Sequence, residues 1–215
     1  AAARLNHPNI VSIYEVGQSG AVCYIASEYC SGTNLADFLD SMASPPAERA
    51  AAELVATLAD AMQHAHSRGV LHRDLKPSNI FLVAAPAHAE RTPDDSEDGN
   101  LTAFVPKIGD FGLAKLLSQD RGETRTGAVL GTVAYMSPEQ ARGSTREVGA
   151  HSDIYGLGAI LYALLTGEPP HGGETDIATL QRILSTEPAP PRSLRPGVHS
   201  DLSAVCLKCL ERDPA

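Results

Sequence analysis

Cysteine, basic charge and long apolar runs are all scarce in this chain of 215 residues, and each shortage removes a class of protein. Four cysteines (Cys23, Cys30, Cys206 and Cys209) are too few and too scattered for a disulfide framework, and a reducing cytosol suits them best. Cys206 and Cys209 form a C-x-x-C, which is half of a zinc site or a redox pair. No second Cys or His pair stands near them. Leu202, Val205, Cys206, Cys209 and Leu210 recur at helical spacing, so the two thiols read as packed on a helix face. A net charge of -9 leaves no basic stripe to neutralise phosphates, which excludes a general nucleic-acid binder. The longest apolar run, Ile154 to Leu165, holds two glycines and falls well short of the roughly 20 residues that cross a bilayer. It reads as a buried core helix. Signal peptide and internal repeats are both lacking. The opening Ala1-Ala2-Ala3 has no methionine, which leads us to expect a piece of a longer product whose other parts could include a membrane anchor.

What is present is enough for one or two domains with a full core. The apolar fraction of 43% and charged fraction of 20% are those of ordinary globular proteins. Ala1 to Asn6 resembles the last turn of a helix closed by His7-Pro8-Asn9. Ile10 to Val16 and Val22 to Glu28 alternate at strand period, with Gly17-Gln18-Ser19-Gly20 as the hairpin turn between them. Those glycines are flanked by strands on both sides, so they do not make a phosphate loop. Leu35 to Met42 predicts a short helix and Ala47 to Gly69 a long amphipathic one. Ile80 to Val83 and Val105 to Ile108 are short apolar runs around Ala84 to Phe104. That interval is small, acidic and proline-containing, and holds about half of the acidic excess, so it reads as a mobile surface insertion. From Glu139 onward the pattern is helical, broken by a proline-rich connector at Glu187 to Pro196.

Three motifs carry chemistry. His72-Arg73-Asp74-Leu75-Lys76-Pro77-Ser78-Asn79 is followed by Asp110-Phe111-Gly112 and then by Ser137-Pro138-Glu139. In this order, and with Gly131-Thr132 ahead of Tyr135 and Asp153-Ile154-Tyr155-Gly156 beyond, the chain resembles the bacterial branch of the eukaryotic-type serine/threonine protein kinases. The resemblance covers nearly the whole sequence. It implies an α+β fold, with residues 1–30 as a remnant of the smaller lobe ending in the hinge and residues 31–215 as the mainly helical larger lobe. The stretch 84–104 is then an insertion and 110–139 the activation segment.

The resemblance also implies roles. Asp74 would orient the attacking hydroxyl and accept its proton, as in-line phosphoryl transfer needs. Asn79 and Asp110 would hold Mg²⁺ against the phosphates of ATP, hard oxygen ligands suiting that ion. Lys76 would neutralise charge on the transferred group, and Thr132 would complete the floor beneath the acceptor hydroxyl. The pairing of Lys76 with Gly131-Thr132 points to serine and threonine rather than tyrosine. Glu28 and Cys30 (with Tyr29 between them, after Ser27) would offer backbone groups to adenine. Asn34 would meet the ribose and Phe81 pack beneath the base. His72, Phe111 and Gly112 are expected to be structural. Asp153 would accept backbone N–H bonds from the catalytic loop, a buried carboxylate requiring such donors. Glu139 has its family partner in an arginine beyond Asp213-Pro214, past the last residue of this sequence. Arg73 would bind a phosphate placed on Thr124 or Thr126, ordering the activation segment.

One departure from the family pattern matters. Neither a G-x-G-x-x-G loop nor a V-A-I-K lysine stands upstream of His72, so these residues alone are expected to bind ATP weakly and turn over poorly. The rival reading from another class is a non-catalytic, pseudokinase-like scaffold, and Asp74, Lys76, Asn79 and Asp110 argue against it. A small-molecule kinase is a second rival, disfavoured by the peptide-platform pattern around Tyr135. The expected partners are proteins bearing serine or threonine, with neither nucleic acid nor a membrane segment in this chain, and the expected location is the cytoplasm.

Overall fold

The structure is a computed structural model and describes residues 5–20, 22–85, 101–111 and 132–213. Two small antiparallel sheets and a helical body, whose first two helices fall between strands of the second sheet, make an α+β arrangement. Strands β1 (Ile13–Ser19) and β2 (Val22–Ser27) form a hairpin in which Ser19 faces Val22, so the turn is tighter than the sequence pattern predicts. Gly17 and Gln18 belong to the strand rather than to the turn. The reason is packing: a β-carbon at Gly17 would stand 2.4 Å from the ring of Tyr24 across the ladder, so the missing side chain makes room for an aromatic. Leu5 and Asn6 lie outside any helix, contrary to the expected helical turn. Residues 1–4 lie outside the described residues.

Strand β3 (Gly32–Asn34) runs directly into helix α1 (Leu35–Ser41), whose N-terminus is capped by the Asn34 side chain accepting from the Asp37 N–H at 2.9 Å. Helix α2 (Glu48–His66) buries Ala51, Leu54, Leu58, Ala61, Met62 and Ala65, the 3.6-residue stripe visible in the sequence. It stops at Gly69, whose φ of +70 is left-handed and favours glycine. Strands β4 (Ile80–Ala84) and β5 (Phe104–Ile108) pair antiparallel, with β3 on the far side of β4. Their ladder runs to Ala84–Phe104, and Ala85 donates to the Ala103 carbonyl at 2.9 Å, so the predicted insertion starts later and ends earlier than 84–104. Its interior, 86–100, lies outside the described residues.

The helical body is threaded by α4 (Ala150–Thr166), which follows the four-residue α3 (Pro138–Ala141). Helix α4 is buried on nearly every face, as its uninterrupted apolar sequence dictates. Its two interior glycines let neighbours approach closely: a β-carbon at Gly156 would press on Leu75, and one at Gly158 would come within 2.6 Å of the Cys209 β-carbon. Helices α5 (Asp176–Ser185), α6 (Pro191–Leu194) and α7 (Ser200–Cys209) complete the body. The short α6 forms inside the segment the sequence marks only as a proline-rich connector, because Pro191 can occupy a first helical turn where no N–H is needed. Cys206 and Cys209 do lie on a helix. All four cysteines are free thiols, and burial pushes Cys206 up to about 12, so it is inert packing rather than a redox centre. Among the described residues, no helix is long and apolar enough to cross a membrane.

Candidate active site

Asp153 organises the site from below. It sits in the first turn of α4, is 1% exposed, and accepts from the backbone N–H of His72 at 3.0 Å and of Arg73 at 2.8 Å. His66, in the last turn of α2, brings Nε2 within 2.8 Å of the same carboxylate. A carboxylate removed from water needs such donors, and three converge here from two separate segments. His66 has no role in the sequence reading. Its signal was a histidine closing an amphipathic helix just ahead of His72.

His72 is buried as expected and its ring meets Phe111 edge-on, with centroids 4.8 Å apart. Its Nδ1 accepts from the Asp74 N–H at 3.2 Å, so Nε2 carries the proton and donates to the Gly109 carbonyl at 2.8 Å. Burial lowers its pKa below the usual histidine range, which keeps the ring neutral and this tautomer intact at neutral pH. Through that bond the loop beginning at His72 grips the segment that ends in Asp110.

Three polar side chains then meet above this base. Lys76 Nζ lies 2.8 Å from Asp74 Oδ2. The Asn79 amide donates to the Asp74 carbonyl at 2.7 Å and to Asp74 Oδ2 at 3.3 Å. Both partners are acceptors, so Nδ2 must face them and Oδ1 faces the other way. The Gly109 N–H donates to the Asn79 carbonyl at 2.9 Å, which sets Asp110 directly beside Asn79 in space despite 31 residues of separation. Asp110 has φ of 57, a left-handed conformation unusual for a residue with a side chain.

Asp110 also lines a cavity of about 250 Å³. Ile10, Val11, Ile13, Ile25 and Phe81 supply its apolar wall, and Ser27, Glu28, Tyr29 and Cys30 its rim. Four of the five residues the sequence assigns to the nucleotide (Glu28, Cys30, Phe81 and Asp110) thus line one space. Asn34 is not among them, and its carboxamide caps α1. Lys107 Nζ stands 2.6 Å from Glu28 Oε1 and holds that carboxyl below the usual range, tying the rim to β5. This pair was also invisible from sequence, since the two residues lie 79 positions apart.

Glu139 is 5% exposed, accepts from the Ser152 hydroxyl and lies 3.2 Å from His151 Nε2. Thr132 opens a 3-10 turn, Thr132–Tyr135, leading into α3. Gly112, Thr124 and Thr126 lie outside the described residues. Among the described residues, no group of three or more His, Cys, Asp or Glu is placed to hold a metal by protein ligands alone.

The whole chain, residues 1–215, matches the family model described as protein kinase domain. It is 38% identical to the serine/threonine-protein kinase PknB of Mycobacterium leprae over 217 residues, 99% of this chain and 32% of that protein. It is 40% identical to the serine/threonine-protein kinase pkn3 of Myxococcus xanthus, over 100% of this chain and 37% of that protein. A probable serine/threonine-protein kinase of Streptomyces coelicolor is 35% identical over 100% of the chain and 29% of its own length. The chain therefore spans about a third of the length of the curated relatives it matches.

Proposed function

The chain belongs to the protein kinase domain family, and from that premise we propose that the protein containing it transfers the γ-phosphoryl group of ATP to serine or threonine hydroxyls of other proteins. The observation that carries this reading is the contact of Asp74 with Lys76 and Asn79, together with Asp110, which follows the Gly109 bonded to Asn79 and lines a cavity of about 250 Å³ with an apolar wall. An apolar slot rimmed by backbone polar groups suits a purine base.

Asp74 is the group that works on the acceptor. Its Oδ2 is engaged by Lys76 and Asn79, while among the described residues no hydrogen bond engages Oδ1. That oxygen can orient a hydroxyl and take its proton. Lys76 would supply a compact cation where phosphate charge accumulates, and Thr132, in the first position of a 3-10 turn, would complete the floor beneath the acceptor. The donor set fits Mg²⁺: Asn79 Oδ1 and the Asp110 carboxylate are hard oxygens on neighbouring backbones, and that ion takes its remaining ligands from phosphate and water. Magnesium bound there would neutralise the charge of the phosphates. Glu28 and Cys30 would meet adenine through their backbones and Phe81 would lie beneath it. Asn34 would approach the ribose only by sharing its capping role. Four free cysteines support a cytoplasmic setting.

Arg73, next to Asp74, would pair with a phosphate on Thr124 or Thr126 and so order residues 110–139. One assay tests both ideas. The longer protein, incubated with labelled ATP and Mg²⁺, is expected to place label on serine and threonine of protein, its own chain included, and chelation should abolish transfer. Alanine at both Thr124 and Thr126 should lower its phosphate content and its rate together. Label only on a metabolite, or none, would favour the small-molecule or scaffold reading. An unchanged rate and phosphate content in the double variant would remove the regulatory role.

A further inference from the structure

Arg73, immediately before Asp74, has φ of 69. A residue with a β-carbon holds that conformation only where its surroundings fix it. Asp153 Oδ1 takes its N–H at 2.8 Å. Its carbonyl is taken by Gln140, whose Nε2 donates to it at 2.5 Å across 67 residues of sequence. The other end of the same carboxamide is occupied too: Gln140 Oε1 accepts from the Ser137 N–H at 3.0 Å and from the Ser137 hydroxyl at 3.1 Å. Two donors on Oε1 settle which way the amide faces, so its N–H must point at Arg73.

The geometry of one peptide unit makes this consequential. The Arg73 carbonyl and the Asp74 N–H belong to the same planar group. Gln140 grips its oxygen, and His72 Nδ1 accepts from its nitrogen at 3.2 Å. With both ends held, the plane from which the Asp74 side chain projects cannot rotate. On the other side, Ser137 is the N-cap of α3, two residues beyond the Thr132–Tyr135 turn, so a displacement of that segment acts through Gln140 on the same peptide. A cavity of about 30 Å³, lined by Arg73, Asp74, Tyr135, Gln140 and Ser152 among others, lies at this junction and leaves room for about a single water.

We propose that Gln140 is a positioning residue for phosphate transfer, a clamp that holds the Arg73–Asp74 peptide and couples it to the Thr132–Ser137 segment. The proposal rests on the role of Asp74 given under Proposed function. It is tested in the longer protein with two variants. Gln140→Met has similar length and no polar group, whereas Gln140→Lys restores a donor towards the Arg73 carbonyl. Both lose the acceptor for Ser137, so the difference between them reports the clamp alone.

Gln140→Met is expected to lower kcat about tenfold or more, with the KM for ATP within about twofold of wild type, because a small misplacement of a reacting group costs rate rather than ground-state binding. Gln140→Lys should recover most of that loss, at a thermal midpoint equal to that of Gln140→Met. Equal kcat values for the Met and Lys variants, or a Met variant as fast as wild type, would overturn the clamp. A wild-type protein that transfers no phosphate would instead overturn the reading of the site, and the clamp with it.

Discussion

Replacing Asp153 with alanine is expected to destabilise the domain by about 3 kcal/mol or more and to reduce phosphate transfer to background. The carboxylate is 1% exposed and accepts from His72 N–H, Arg73 N–H and His66. Alanine strands two backbone donors and an imidazole in the core, and each buried group left without a partner costs about 1–3 kcal/mol. It also releases Arg73 from φ of 69, so the peptide before Asp74 relaxes to an ordinary conformation. Urea unfolding followed by circular dichroism measures the first effect and labelled transfer the second. Asp153→Asn, which keeps one acceptor oxygen, should lose roughly half as much stability. A loss below about 1 kcal/mol in the alanine variant would show that the three bonds are not what holds the loop beginning at His72.

The largest effect on rate, without one on stability, is expected from Asp74→Asn. The side chain is 46% exposed and its contacts are to Lys76 and Asn79, so the fold does not depend on its charge. Asparagine keeps the shape but cannot accept the proton of an incoming hydroxyl. General-base contributions run to about 10²–10⁴-fold, and kcat should fall within that range while the KM for ATP changes by less than about threefold. The unfolding free energy should stay within about 0.5 kcal/mol of wild type. Steady-state kinetics on the longer protein separate these quantities. A parallel rise in KM with kcat preserved would assign Asp74 to nucleotide binding instead.

How much of this was legible beforehand depended on the range of the interaction. Helices α2 and α4 were readable because each repeats an apolar stripe or run over many residues, and β4 and β5 because they are short apolar runs beside the motifs. The hairpin turn was misplaced because Gly17 looks like a turn residue, and only the ring of Tyr24 across the ladder reveals why glycine stands there. Helix α6 was hidden by prolines that break helices in the interior but tolerate the first turn.

At the site, the motif residues identified themselves by order and type. The groups that hold them did not. His66, Lys107, Ser152 and Gln140 act through partners distant in sequence, and nothing in a one-dimensional pattern pairs Gln140 with the carbonyl of Arg73. Glu139 shows the same point from the other side. The resemblance gives it only an arginine past the end of this sequence, whereas the structure puts the Ser152 hydroxyl and His151 Nε2, both on α4, beside it. Asn34 was placed at the ribose by position along the chain, yet locally it is an N-cap followed by Asp37 in the first helical turn.

In the proposed function Asn79 and Asp110 present oxygens to one divalent cation beside Asp74. Equilibrium binding of Mn²⁺ to the longer protein, with a non-hydrolysable ATP analogue present, tests it most directly. Asp110→Asn should weaken Mn²⁺ binding at least about tenfold, equivalent to about 1.4 kcal/mol, while Asp74→Asn leaves it within about threefold of wild type. Equal Mn²⁺ affinity in the wild-type and Asp110→Asn proteins would contradict the account.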